Sequence, residues 1–183
     1  MRSREEWENF YEREIVPTEP SNFCQFIMGQ NIKARSVIDL GCGNCRDSVE
    51  LAKRYITTAV DSACPAPDNN VIKIMRCDWK DAKDIIRQTD IVYSRFFLHS
   101  ISNEEIIELM KITTGYFCAE FRIDGDRPTL YTDHDRNLIS WPWIIQLTKD
   151  LCYNVIVAKY GRGMAQYKGE DPLVGRMILK RTI

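Results

Sequence analysis

Apolar and polar positions follow two different periods along this chain. In the run of about Ser3–Glu14 and just beyond it, Trp7, Phe10, Tyr11 and Ile15 recur at helical spacing among charged residues. That spacing predicts a charged, aromatic helix. Pro17 and Pro20 break it, and Ser21 can cap a second helix reaching about Gln30. From Ser36 onward, short β-branched apolar runs alternate with helix-like segments. Strands are expected at Ser36–Leu40, Ile56–Asp61, Val71–Arg76, Asp90–Ser94 and Gly115–Arg122. Helices are expected at about Cys45–Arg54, Lys80–Gln88, Asn103–Thr113 and Leu138–Leu151. Two last strands, Tyr153–Lys159 and Val174–Arg181, are separated by Gly161, Gly163, Gly169 and Pro172, which suits an antiparallel closing pair. Regular alternation of β and α implies an α/β fold with a doubly wound, mostly parallel sheet and helices on both faces.

Length and composition narrow the class. A chain of 183 residues suits one domain with a substantial core, with residues 1–30 as an N-terminal helical cover. A net charge of −1 removes any global basic field for nucleic acid, though local basic patches remain open. The first residues, MRSREEWENF, carry no apolar signal core. No apolar run approaches the roughly 20 residues of a membrane helix, so no membrane insertion is expected. Seven cysteines without a signal segment suit reduced thiols in a cytoplasm. Cys42-x-x-Cys45 has the look of a redox or zinc half-motif, but no second pair stands at metal spacing, and no metal is expected. The periodicity carries no signal for oligomeric state.

The most informative run is SVIDLGCGNCRD, residues 36–47. A strand ends in Asp39, Gly41-Cys42-Gly43 makes a tight turn, and a helix follows. Strand, glycine turn and helix hold nucleotide-like ligands at the carboxyl edge of a parallel sheet. A dinucleotide is disfavoured, because Arg46 stands where G-x-G-x-x-G needs its third glycine. An acid at the end of the first strand suits a cationic ligand head, such as a sulfonium with an α-amino group. Here the chain resembles the class I S-adenosylmethionine-dependent methyltransferases, whose first motif reads much like V-I-D-L-G-C-G.

The resemblance spans about Trp7 to Lys180 and implies a Rossmann-like sheet of seven strands with an antiparallel final strand. It also implies S-adenosyl-L-methionine as cofactor and S-adenosyl-L-homocysteine as product. Asp39 and the Gly41–Gly43 backbone are then expected at the methionine end, with Arg46 on its carboxylate. Asp61, about twenty residues after the glycine turn, is placed to accept the ribose hydroxyls. Asp78 can take the adenine amino hydrogens, with Trp79 stacking on the ring. Each has a plainer alternative: a helix cap for Asp39, a turn for Asp61, an N-cap for Asp78, the core for Trp79. Cys45 departs from a common glycine of that loop and adds a side chain near the cofactor.

The fourth strand runs DIVYSRFFLHSI, and in this fold its end faces the transferable methyl group. Tyr93-Ser94-Arg95-Phe96 replaces the N/D-P-P-Y/F motif of DNA amine methyltransferases, so base methylation is disfavoured. The chain is especially similar to a bacterial group carrying W-x-x-x-Y…E-P-S-x-F, D-L-G-C-G-N-x-R-D-S and S-R-F-F-L-H, several of them encoded among surface-polysaccharide genes. That likeness implies a small-molecule acceptor. It also implies that Trp7 and Tyr11 close over the cofactor near Ser21, with Asn44 and Ser94 in the same set.

Methyl transfer to a hydroxyl needs alignment and a base. His99 is the candidate, since neutral imidazole is available near its unperturbed pKa of about 6.5; the alternative is packing at the next helix. His134 is a second candidate, or a binder of an acceptor phosphate or carboxylate. Arg95, placed with the reacting groups, and Arg122, Arg127 and Arg136 gather near the ends of strands four and five. Guanidinium groups recognise carboxylate and phosphate in a bidentate manner, which points to an anionic acceptor and O-methylation. The alternative is pairing of Arg122 and Arg136 with Glu120, Asp124, Asp133 or Asp135. The segment Gly161–Pro172 resembles a second cover from which Tyr167 and Lys168 reach the acceptor, or else an ordinary hairpin. A nucleic-acid methyltransferase and a non-catalytic S-adenosylmethionine-binding protein are the competing functions.

Overall fold

The computed structural model describes residues 4–13, 16–125 and 137–182. Six helices and seven strands are assigned among them. The helices are α1 (Arg4–Arg13), α2 (Asn22–Met28), α3 (Arg46–Leu51), α4 (Lys83–Gln88), α5 (Asn103–Ile112) and α6 (Trp141–Asp150). The strands are β1 (Ser36–Leu40), β2 (Ile56–Val60), β3 (Lys73–Met75), β4 (Ile91–Arg95), β5 (Tyr116–Arg122), β6 (Tyr153–Gly161) and β7 (Val174–Arg181). They form one sheet in the order β3-β2-β1-β4-β5-β7-β6. β1 to β5 run parallel, while β7 lies antiparallel to both β5 and β6. The expected Rossmann-like sheet with its antiparallel final strand is what the chain adopts.

Strand alternation divides the core into two layers, because successive side chains face opposite sides of a sheet. Ile38, Leu40, Val92, Phe117 and Phe121 pack with Ile86, Ile106, Leu109 and Ile144 of α4, α5 and α6. Val37, Ile91, Tyr93, Cys118 and Ile178 pack with Phe23 and Ile27 of α2 and Leu51 of α3. Strand order reverses between β1 and β4, and such a switch point opens a crevice at the carboxyl ends of the strands.

Local chemistry shifts several boundaries. β3 is shorter than expected because it is an edge strand, and Asn69 Oδ1 takes the amides of Val71 (2.9 Å) and Ile72 (3.1 Å) in a turn. Asp78 caps a 3-10 turn at Trp79–Ala82 before α4 begins. α3 starts only at Arg46, because Cys45 adopts φ 62°. α6 starts at Trp141, after Ile139 has bridged to Ile123. No described helix is long and apolar enough to cross a membrane.

Candidate cofactor and acceptor site

A cavity of about 870 Å³ opens at the carboxyl ends of β1, β2 and β4. Its base is the turn after β1. Gly41 has φ 72°, and a Cβ there would fall 2.8 Å from the Phe97 Cβ. Gly43 has φ 54°, and a Cβ there would fall 2.7 Å from the Tyr11 hydroxyl. Both positions therefore need glycine for backbone conformation and for close approach. The second contact also shows that α1 closes onto the glycine turn, with Trp7 and Tyr11 stacked at 6.2 Å between ring centroids.

Two acids stand at the ends of β1 and β2. Asp39 is buried and accepts the Ser48 hydroxyl at 2.6 Å. Burial raises its carboxyl to about 8, with Ser48 opposing the shift and Asp47 and Asp61 adding to it. Asp61 accepts the amides of Gly43 (3.0 Å) and Ala63 (2.8 Å), so it serves as a turn residue and still faces the cavity. Burial raises its carboxyl too, and those two amides hold the shift back. Among the described residues no cation pairs with either acid. A cationic ligand head would remove an electrostatic cost at this end.

The lining is also cationic. Arg46 lines the cavity, donates to the Glu19 carbonyl at 3.1 Å, and has its pKa lowered by burial and then by Arg95. Arg95 pairs with the fully buried Glu120 at 3.1 Å, and Arg176 takes the other oxygen at 2.6 Å. Burial raises the Glu120 carboxyl while the two arginines oppose it. Arg122 pairs with Glu170 at 2.7 Å. The Phe96 ring has the Arg95 guanidinium at 4.5 Å and that of Arg122 at 5.8 Å, on a backbone with φ 57°. A positive φ at an aromatic residue is a strained conformation of the kind that gathers at functional sites. His99 is buried in the turn Leu98–Ser100 and lines the cavity, its ring 5.6 Å from that of Phe96.

Several expected residues stand elsewhere or do other work. Asn44 donates to the Pro17 carbonyl at 2.8 Å and straps the glycine turn to the N-terminal segment. Ser21 lines the cavity and caps α2 by accepting the Cys24 amide at 3.0 Å. Asp78 is exposed and accepts the Lys80 amide at 2.9 Å, so capping occupies one of its oxygens. Trp79 belongs to the core while touching the cavity wall, and its indole N–H meets no protein acceptor. Ser94 is fully buried within the sheet and does not line the cavity. Its alternation with Arg95 turns it away. Lys168 also misses the cavity, because Lys168 (φ 46°) and Gly169 (φ 81°) form the two-residue tip of a hairpin. Tyr167, at the base of that hairpin, does line it. His134 and Arg136 lie outside the described residues, as does Arg127.

Asp47 is a further residue of the site. It accepts the Ser21 amide (2.7 Å), the Ser21 hydroxyl (2.6 Å) and the Tyr93 hydroxyl (2.7 Å), joining α3, the segment before α2 and β4 beside the cavity. Burial, followed by Asp47, pushes the Tyr93 hydroxyl well up, so it stays a donor. Only the D-S pair after Arg46 hinted at this role.

No protein-family model matches the chain, and no curated protein matches it in sequence. Solved structures do match in fold. A Burkholderia thailandensis 1,6-didemethyltoxoflavin-N1-methyltransferase, with its acceptor and S-adenosylhomocysteine bound, aligns at a TM-score of 0.71 and 14% identity. The match covers 98% of this chain and 87% of that one. An S-adenosylmethionine-dependent methyltransferase from Anabaena variabilis aligns at 0.69 and 14% identity, over 100% and 96% of the two chains. Magnesium protoporphyrin IX methyltransferase from Synechocystis, with S-adenosylmethionine bound, aligns at 0.58 and 14% identity, over 87% and 76%. At these identities the shared property is the fold.

Proposed function

We propose that this chain is an S-adenosylmethionine-dependent methyltransferase acting on a small anionic molecule, with oxygen as the favoured acceptor atom. One observation carries it: Asp39, the Gly41–Gly43 turn and Asp61 converge on one cavity, and neither acid has a cation partner among the described residues. The residues present fit the cofactor. Asp39 faces the ammonium and sulfonium end, Arg46 the carboxylate, and Asp61 the ribose hydroxyls. Trp79, with its unpartnered indole N–H, borders the adenine position beside Asp78. Tyr11 and Trp7 cover the site and exclude water. When bound, the cofactor supplies an electrophilic methyl group.

The acceptor belongs on the side of Arg95, Phe96, His99 and Arg122. Arg95 and Arg122 already carry carboxylate partners, so they orient an anion without presenting bare charge. His99 is the group in this wall that can take a hydroxyl proton near neutral pH. The neighbours with bound toxoflavin precursor or porphyrin-directed activity act on small molecules, and a cavity of about 870 Å³ has room for one beside a cofactor. Seven free thiols suit a reducing cytoplasm.

The test is methyl transfer. The protein, S-adenosylmethionine and a panel of phosphorylated and carboxylated hydroxy compounds should yield S-adenosylhomocysteine and a product heavier by one methyl group. Tight cofactor binding with no turnover on any anionic or neutral acceptor would favour the non-catalytic reading. Turnover confined to nucleic acid would replace the acceptor class.

A further inference from the structure

The turn after β1 and the loop after β2 bring three thiols together. Cys45 Sγ lies 3.6 Å from Cys42 Sγ and 3.5 Å from Cys64 Sγ, and all three sulfurs lie within 4.8 Å of one another. All three are buried free thiols, packed with Ala52, Ala59, Ala66, Ile72 and Ile74. The arrangement is held from both sides. The Cys42 amide donates to the Val60 carbonyl at 3.3 Å, and Cys45 is fixed at φ 62°. Pro65 and Pro67 stiffen the loop that follows Cys64. Arg76 ties down that loop, donating to the Ala66 carbonyl at 2.6 Å and pairing with Asp68 at 2.8 Å.

We propose that Cys42, Cys45 and Cys64 form a binding site for one three-coordinate thiophilic ion, trivalent arsenic presented as arsenite being the species it fits. Three features select it. Sulfur bonds of about 2.3 Å, as in zinc thiolates, at a pyramidal angle of about 100° set sulfurs about 3.5 Å apart. The Cys45–Cys42 and Cys45–Cys64 separations already have about that value. Among the described residues no fourth His, Cys, Asp or Glu joins the group, whereas a closed zinc site takes four ligands. Charge decides between the remaining soft ions. Three thiolates leave a net −2 around monovalent copper and zero around trivalent arsenic, and apolar surroundings penalise the former.

The reaction is a condensation without electron transfer. Three S–H bonds and three As–O bonds break, three As–S bonds form, and three waters leave. Cys42 lines the cavity, which supplies the entry path. Two of the ligands flank Gly43, so occupancy fixes the glycine turn. The ion site stands independently of the proposed methyl transfer.

The experiment titrates the full chain with arsenite in a phosphine reductant, following sulfur–arsenic absorbance and native mass. One arsenic per chain with loss of three protons is expected. Cys45→Ser and Cys64→Ser should each weaken binding at least tenfold, while the exposed Cys152→Ser should leave it unchanged. Thermal unfolding without arsenite checks each variant, with Cys64→Ala replacing Cys64→Ser if the latter does not fold. The proposal fails if no adduct forms, if only two protons are lost, or if the Cys64 variants bind like the parent. Mass and absorbance report on the ion alone, so absence of methyl transfer does not alter the outcome.

Discussion

The carboxylate of Asp61 accepts the amide of Gly43 at 3.0 Å, joining the end of β2 to the glycine turn that follows β1. One residue thus shapes the cavity base and presents oxygens to it. Hydrogen bonds to a charged group are worth about 1.5–3 kcal/mol, or roughly 10- to 150-fold in affinity. Asp61→Ala should therefore weaken S-adenosylhomocysteine binding by at least about tenfold. Calorimetric titration checks this, and near-parental affinity would remove Asp61 from the cofactor set.

Asp39 carries a pH signature. Its carboxyl moves from 3.8 to about 8 on folding, chiefly through burial. The folded chain thus holds this proton more tightly than the unfolded chain. Its contribution to stability is fully present below about pH 4 and is lost as pH rises through about 8. Asp39→Asn should flatten the stability profile across that window, as read by urea unfolding at several pH values. A cationic ligand head beside Asp39 favours the carboxylate, so cofactor binding near pH 7 should release a proton. Calorimetry in buffers of different ionisation enthalpy would show it, and Asp39→Asn should abolish the release.

The bonds from Ser21 and Tyr93 to Asp47 hold the N-terminal segment against the sheet. Removing the acceptor leaves buried donors unpaired at about 1–3 kcal/mol each. Asp47→Ala should lower unfolding stability by at least about 2 kcal/mol. It should also speed proteolysis ahead of residue 21. Tyr93→Phe removes one bond and should cost about 1 kcal/mol. A variant Asp47→Ala as stable as the parent would show that the segment is held by its apolar contacts instead.

The strand positions and the glycine turn were legible in the chain because their signals are local. β1 spans Ser36–Leu40 as its apolar run predicts, and the acids at the ends of β1 and β2 follow from the glycine-turn motif and the spacing from it to Asp61. What stayed hidden depends on partners far away in sequence. Asp47 takes its meaning from Tyr93, and Cys64 from Cys45, nineteen residues earlier. Glu120 opposes Arg176 only once β5 pairs antiparallel with β7. That register also explains why Glu120 is not available to Arg122, which turns to Glu170 of the hairpin instead. Lys168 stands outside the cavity lining for a local reason: Lys-Gly forms a two-residue hairpin tip, and the lysine ammonium lies over the Tyr167 ring at 5.4 Å.

His99 and Arg122 separate chemistry from acceptor binding. Both line the cavity and neither belongs to the residues assigned to the cofactor, so neither change should alter cofactor affinity more than about twofold. His99→Gln removes the titratable group and keeps a polar side chain, and positioned general bases contribute about 10²–10⁴-fold. Its kcat should fall by at least about a hundredfold with little change in KM. The acidic limb of the parent's kcat profile should vanish with it. Arg122→Lys keeps the charge partner of Glu170 but loses the planar fork. For an anionic acceptor its effect should appear mainly as a raised KM. Equal turnover by the His99 variant would make His99 a packing residue, and an unchanged KM in Arg122→Lys would move the acceptor away from this wall.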